Sequence, residues 1–210
     1  MYIDKQGLAG LEKRRRAALV NSLSGFKSAN LVGTASADGE SNLAIVSSVF
    51  HLGADPALMG FISRPPSVDR HTLENIEALG EYTLNHVHAD IVHAAHQTSA
   101  RYPREVSEFA ATGLTPLAAQ TLRVPYVAES RVRLGLTLCE MKPVEVNNTV
   151  MVIGEIVEIH VPDSAVGEDG FIDLETLGTV AISGLDSYHR TEKVSRLSYA
   201  KPDRPPREIS

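Results

Sequence analysis

The spacing of apolar and polar positions along the chain predicts more strands than helices. Apolar residues recur at helical spacing near the N-terminus and again from Thr72 onward, where Gly80 is placed to end a helix. Elsewhere, short apolar runs are separated by turn residues such as those at 37–40 and 53–56. We predict helices over residues 8–24, 72–79 and 90–98, and strands over residues 30–36, 43–52, 58–62, 82–87, 130–140, 149–161 and 179–183.

The order of these elements indicates the fold class. Successive strands follow one another without intervening helices, which favours an antiparallel barrel over a doubly wound parallel sheet. We therefore expect a mainly β protein, an antiparallel β-barrel with a few peripheral helices. Residues 1–210 are taken as one domain, with a core from about 21 to 199, an N-terminal helix at about 8–24 and a polar tail at 201–210.

Composition and charge narrow the choice of compartment and partners. Hydrophobic residues make up 43% of the chain, charged residues 22%, and the formal net charge is −6, which disfavours a general nucleic-acid surface. The single cysteine, Cys139, lies in an alternating run typical of a strand and fits a reducing compartment. No apolar run has the length of a signal peptide or a membrane span. We expect a cytoplasmic protein with neither nucleic acid nor membrane as a partner.

Several common catalytic motifs are missing from the chain. It contains neither the glycine-rich motif of dinucleotide-binding Rossmann units nor the P-loop motif. It also lacks the G-x-S-x-G turn of hydrolases and the H-E-x-x-H helix of zinc proteases. Hydrolase and NTPase functions are therefore disfavoured.

Four histidines fall within eleven residues: His86, His88, His93 and His96. Their spacing puts the first pair on one face of a strand and the second pair on one face of a helix, an arrangement that could bind zinc. No cysteine completes a familiar zinc motif nearby, and Asp90 is better placed as a helix N-cap. We favour surface or inter-subunit histidines and expect no metal.

Polar residues interrupt an apolar run in the stretch from 41 to 72. Ser47 and Ser48 lie in the middle of the predicted strand 43–52, where adjacent side chains point to opposite faces. One of these hydroxyls, together with backbone groups of the strand, could meet the polar edge of a planar ligand. The sequence leaves open which serine does so.

A candidate anion site follows the next strand. Arg64 ends that strand, a proline pair stops it, and Arg70 precedes a helix for which Thr72 is the expected N-cap. The first turn of a helix offers free N–H groups, and guanidinium groups match phosphate oxygens. The alternative is that both arginines pair with surface carboxylates such as Asp69 or Glu74.

This stretch resembles the flavin reductase-like family of FMN-binding split barrels. Ile45 stands where members usually have proline. The resemblance runs from about Asn21 to Tyr199 and rests on residues 39–45 (GESNLAI), 47–50 (SSVF), Asp55-Pro56, Arg64 and residues 70–76 (RHTLENI), with later segments at 107–116, 152–161 and 187–190.

The resemblance implies a split barrel, FMN as cofactor and a homodimer with FMN near the subunit interface. It also implies that the flavin carries the chemistry, so that no catalytic side chain is required. By family position, the flavin and its ribityl chain would be faced by Asn42, Ser47 and Ser48. The phosphate would be held by Arg64, Arg70 and Thr72, with Ser63 and His71 as further candidates. His189 would lie near the isoalloxazine, and Phe50 would form an apolar wall.

The leading hypothesis is an oxidoreductase that passes hydride from transiently bound NAD(P)H to FMN. One alternative is a non-enzymatic FMN-binding electron carrier that is reduced by a redox partner protein. A third is a split-barrel protein that binds haem or a pyridoxal-type phosphate instead.

Overall fold

The computed structural model describes residues 1–66 and 70–209 and contains five α-helices in that part of the chain. The helices are α1 (Lys5–Gly10), α2 (Lys13–Leu23), α3 (His71–Leu79), α4 (Val92–Gln97) and α5 (Glu108–Thr112). The strands are β1 (Lys27–Ser28), β2 (Asn30–Ala35), β3 (Ser41–Val46), β4 (Phe50–Ala54), β5 (Ala57–Ser63), β6 (Glu81–His86), β7 (Pro116–Leu117), β8 (Tyr126–Val127), β9 (Arg133–Val144), β10 (Thr149–His160), β11 (Ala181–Ser183) and β12 (Ser187–His189).

A seven-stranded antiparallel sheet in the order β3-β2-β6-β9-β10-β5-β4 forms the centre of the fold. Strands β3 and β4 are consecutive in the chain but lie at opposite edges of this sheet, and they do not pair with each other. Only residues 47–49 connect them, so the two edges must come close at that point. The result is a split antiparallel barrel with peripheral helices, which confirms the predicted fold class.

The prediction of one strand over residues 43–52 is wrong. The structure has two strands there, β3 and β4, separated by residues 47–49, which we call the crossover. Strand β3 pairs with β2, whereas β4 pairs with β5. Apolar spacing did not reveal the break because both halves have strand character, and the change of partner is a tertiary feature.

The prediction of one helix over residues 8–24 is also wrong. The chain forms α1 and α2, which are separated at Leu11 and Glu12. The Glu12 carboxylate accepts hydrogen bonds from the N–H groups of Arg14 (2.9 Å) and Arg15 (3.0 Å) and so begins α2. Neither helix has a buried residue. Local capping therefore outweighed the continuous apolar spacing.

The two faces of the sheet pack against separate clusters of apolar side chains. Alternation along β2 sends Val32 into one cluster and Leu31 into the other. Leu73 and Ile76 of α3 join the first cluster, while Phe109 of α5 joins the second. Because both faces are covered, every residue of β2 is buried.

The predicted turn glycines are confirmed by their backbone angles. Gly39 in the β2–β3 hairpin has φ 88°, and Gly80 at the end of α3 has φ 68°. These positive values are those that glycine adopts without a steric penalty. Residues 201–209 of the predicted polar tail are exposed, and Ser210 lies outside the described residues. Among the described helices, none is both long and apolar enough to cross a membrane.

Candidate functional site

The outer edge of β3 is a row of backbone donors that side chains partly cover. The N–H of Leu43 donates to the Glu108 carboxylate (2.9 Å), and the N–H of Ile45 donates to the Thr98 hydroxyl (3.0 Å). Alternate residues of an antiparallel edge strand point their N–H groups away from the sheet, so the next outward donor in this series is Ser47. No acceptor for the Ser47 N–H is found among the described residues.

The two serines of the crossover have different surroundings. The Ser48 hydroxyl donates to the Ile62 carbonyl (2.8 Å) and accepts from the Ile62 N–H (3.1 Å). It thereby extends the β4–β5 contact two residues beyond the Phe50–Gly60 pair, with a side chain in place of backbone groups. For the Ser47 hydroxyl, no hydrogen-bond partner is found in the described part of the chain. Of the two hydroxyl groups, only that of Ser48 is engaged by another group within the described residues.

A hydrogen-bonded chain of side chains joins β3 to the start of α3. The Asn42 amide nitrogen donates to the hydroxyls of Thr34 and Thr72, both at 3.1 Å, and the Asn75 amide nitrogen also donates to Thr34 (3.1 Å). Asn42 is only 9% exposed. The first turn of α3 is therefore fixed relative to the edge strand.

The prediction that Thr72 is the N-cap of this helix is wrong. Arg70 occupies the N-cap, Thr72 is the second helical residue, and no side chain of the described residues makes a cap hydrogen bond there. The Thr72 hydroxyl is instead held by Asn42, where it can still donate its own hydrogen to a ligand. An uncapped helix start offers N–H groups and a partial positive charge to an anion.

Three arginines gather near this helix start. Arg64 follows β5, and the Arg70 Nε donates to the Pro65 carbonyl (3.3 Å). Burial and the nearby charges of Arg64 and Arg101 lower the pKa of Arg70. Arg101 was not among the predicted site residues, because it lies in an irregular polar segment without a motif.

The alternative was an ion pair between Arg70 and Glu74, but the structure joins these residues through the backbone of Arg70 instead. Glu74 accepts a hydrogen bond from the Arg70 backbone N–H (3.3 Å), and its carboxylate forms an ion pair with Arg104. The Arg70 guanidinium is not paired with it. The other predicted partner, Asp69, lies outside the described residues.

Ser63 and His71 flank the same region. Ser63 ends β5, and its hydroxyl donates weakly to the Arg64 carbonyl (3.4 Å). His71 is the first residue of α3 and lines a surface cavity of about 430 Å³ together with Asn42 and Asn75. That cavity also contains the carboxylates of Asp38, Glu40, Glu105 and Glu108 against the single arginine Arg104. Its acidic lining disfavours a phosphate, and the three-arginine group is not part of it.

Phe50 directly follows the crossover, whereas His189 lies on a separate three-stranded sheet formed by β1, β11 and β12. Phe50 faces Gly60 across the β4–β5 pair, and a Cβ atom at Gly60 would lie 2.5 Å from its Cζ, so the ring packs on the sheet. His189 lies on β12, two strands from Ser28, whose hydroxyl donates to the Val49 carbonyl of the crossover (3.4 Å). Its Nε2 is 2.8 Å from the Ser183 hydroxyl.

The histidine group does not converge on one point. Burial lowers the pKa of His86 to about 4, and its Nδ1 is buried without a partner in the described part of the chain. His88 Nε2 lies 2.9 Å from the Glu129 carbonyl, and His96 Nδ1 lies 2.9 Å from the Tyr188 hydroxyl. Within residues 1–66 and 70–209, no three potential ligands are arranged to hold a metal ion.

The N-cap interpretation of Asp90 is wrong. The His88 side chain takes that role by accepting the Asp90 backbone N–H (3.4 Å). The Asp90 carboxylate instead pairs with Arg131 at 3.0 Å.

The fold is a split barrel whose two edge strands, β3 and β4, are joined by the crossover, and the predicted anion residues Arg64 and Arg70 lie between the end of β5 and the start of α3. A family model for the flavin reductase like domain matches residues 23–177, more than half of the chain. The chain therefore belongs to the flavin reductase-like family, and its function is flavin-related oxidation and reduction. This confirms the family resemblance seen in the sequence.

Similar proteins agree with this assignment. The crystal structure of a candidate flavin reductase with a split barrel domain from Shewanella frigidimarina is 55% identical, has a TM-score of 0.92 and covers 95% of this chain and 100% of that one. An uncharacterised protein from Halalkalibacterium halodurans is 31% identical over 71% of this chain and 74% of its own length. Nitrilotriacetate monooxygenase component B from Bacillus cereus shares the fold, at 22% identity and a TM-score of 0.82 over 94% of this chain and 98% of that one.

Proposed function

We propose that the protein binds FMN along the crossover and uses it to oxidise NAD(P)H. The observation that carries this proposal is one of arrangement. The backbone N–H of Ser47 has no acceptor among the described residues. Strand β3 and the hydrogen bond from Asn42 to Thr72 connect this donor to the start of α3, where Arg70 is the N-cap. A ligand with a polar ring edge and a phosphate tail would use both features. Family membership makes flavin the ring system to test first.

Each residue group has a distinct part in holding the cofactor. Arg64, Arg70 and the first turn of α3 would hold the phosphate by charge-assisted hydrogen bonds. The Ser47 N–H would donate to the ring edge, where a fixed donor favours the negative charge that develops on reduction. Flavin, when bound, supplies the hydride-accepting chemistry, so the chain needs no nucleophile of its own.

The remaining assignments belong to the same proposal. Phe50 would shield one side of the ring, Ser63 and His71 would flank the phosphate, and His189 would approach the ring end. The single cysteine supports a reducing cytoplasmic location. We further propose a homodimer with FMN near the subunit interface, and a redox partner protein that takes up the electrons.

The first experiment is a spectrum of the isolated protein followed by anaerobic titration with NADH or NADPH. We expect a flavin absorption spectrum that bleaches on addition of one of the nucleotides. If FMN is bound but neither nucleotide reduces it, the protein is an electron carrier that a partner reduces. A haem or pyridoxal-type spectrum would exclude the flavin function altogether.

A second experiment tests the phosphate site through Arg70. FMN carries a phosphate and riboflavin does not, so Arg70→Ala should weaken FMN far more than riboflavin. A hydrogen bond to a charged group contributes about 1.5–3 kcal/mol, or roughly 10- to 150-fold in affinity. Arg14→Ala, on the exposed helix α2, is the charge-matched control. Equal losses for both ligands would place Arg70 away from the phosphate.

A further inference from the structure

The segment that carries Arg101 is fastened to the candidate site on both sides. Three residues before it, the Thr98 hydroxyl accepts from the N–H of Ile45 on β3 (3.0 Å). Three residues after it, Arg104 forms an ion pair with Glu74 of α3. Three extended residues reach only about 10 Å, so the backbone of Arg101 lies within about 10 Å of both anchoring residues, Thr98 beside β3 and Arg104 beside α3.

The arginines in this region differ in whether a described carboxylate pairs with them. Arg104 has a carboxylate partner in Glu74. Arg64 and Arg101 are exposed and form no ion pair with any residue that the structure describes, and the Arg70 guanidinium donates to a carbonyl group. Burial and the charges of Arg64 and Arg101 lower the pKa of Arg70, so both charges act on the Arg70 guanidinium. Like charges held close together are unfavourable, and an anion that binds among them relieves this repulsion.

We propose that Arg101 is a third anion-binding arginine and that, with Arg64 and Arg70, it forms a site for a phosphate monoester dianion. Three guanidinium groups exceed the charge of one phosphate dianion, which favours it over a singly charged carboxylate. That the phosphate belongs to FMN rests on the proposed function. The anion site itself does not depend on the identity of the ligand.

Arg101 and Arg104 lie three positions apart in the chain, but replacing each of them should have a different effect. Removing Arg101 relieves repulsion in the ligand-free protein and removes a ligand contact. Removing Arg104 breaks an ion pair and leaves the anion site intact. The same change of charge should therefore have opposite effects on the stability of the free protein.

The test uses the full-length variants Arg101→Ala, Arg104→Ala and Arg101→Lys. In flavin-free protein, Arg101→Ala should unfold at the same temperature as the unmodified protein or higher, and Arg104→Ala at a lower one. Inorganic phosphate should raise the unfolding temperature of the unmodified protein and of Arg104→Ala, but raise that of Arg101→Ala much less. Arg101→Ala should also lose about 10- to 150-fold in FMN affinity relative to riboflavin, with Arg101→Lys intermediate.

The outcomes distinguish this proposal from the proposed function. If Arg101→Ala and Arg104→Ala respond alike to phosphate and keep the same ratio of FMN to riboflavin affinity, the role of Arg101 is refuted, even if Arg70→Ala shows a phosphate effect. If the protein binds no flavin but Arg101→Ala still loses stabilisation by phosphate, the anion site is supported and FMN is refuted as its ligand.

Discussion

Replacing Ser48 with alanine should destabilise the protein, whereas the same change at Ser47 should not. The Ser48 hydroxyl makes hydrogen bonds to both the carbonyl (2.8 Å) and the N–H (3.1 Å) of Ile62. Alanine removes both bonds and leaves two backbone groups of β5 without partners. Ser47 has no such bond among the described residues, so its removal should affect ligand binding and leave folding almost unchanged.

The size of the Ser48 effect follows from the two hydrogen bonds. Each bond contributes about 0.5–1.5 kcal/mol, which gives a loss of about 1–3 kcal/mol in the free energy of unfolding. For a chain of this length, each 1 kcal/mol corresponds to roughly 2–4 °C in the midpoint of thermal unfolding. Ser48→Ala should therefore lower the midpoint by about 2–12 °C, and Ser47→Ala by less than about 2 °C.

The assay is thermal unfolding of the flavin-free variants, followed by measurement of their FMN affinity. Ser48→Thr keeps the hydroxyl and should retain more of the stability than Ser48→Ala. Equal midpoints for Ser47→Ala and Ser48→Ala would refute the reasoning, because they would show that the hydroxyl of Ser48 does not hold the crossover to β5.

Two further predictions concern the barrel itself. Burial lowers the pKa of His86 from 6.5 to about 4. The neutral imidazole therefore contributes up to about 3 kcal/mol to the free energy of unfolding, a contribution that is complete above about pH 6.5 and is lost as the pH falls toward 4. In chemical denaturation between pH 7 and pH 4.5, the free energy of unfolding should fall more steeply for the unmodified protein than for His86→Leu, and parallel curves would contradict this. At Gly33, a methyl group would collide with the Pro125 carbonyl and the Thr83 hydroxyl, so Gly33→Ala should lower the free energy of unfolding by about 1–3 kcal/mol in urea, whereas Gly10→Ala, where nothing lies within 4 Å, should not lower it.

The amount that could be predicted from sequence differs between the fold and the site. The strands over 30–36, 58–62, 82–87 and 149–161 were located within a residue or two of β2, β5, β6 and β10, because alternation and turn residues are local signals. The break in 43–52 was missed because it depends on which strand each half pairs with. The break in 8–24 was missed because the apolar spacing continues across Leu11 and Glu12.

Some residues of the candidate site could likewise be predicted from sequence, and others could not. Arg64 and Arg70 were found because a strand end and a helix start are visible in sequence, and the structure brings their charges together. Arg101 and Thr98 were missed, since they come from an irregular segment some 30 residues away that only the folded chain brings to β3 and α3. The roles of Asn42, Ser47 and the other residues inferred from the family stay predictions.

The sequence by itself determined the alternation of strands and turns, the positive-φ glycines and the two arginines that bracket a helix start. These follow from rules that act over a few neighbouring residues. Tertiary structure decided that β3 and β4 are opposite edges, that the hydroxyl of Ser48 bonds to the backbone of β5, and that the segment carrying Arg101 is anchored to β3 and α3. Each of these depends on contacts between segments that are distant in the chain, and those exist only once the barrel has formed.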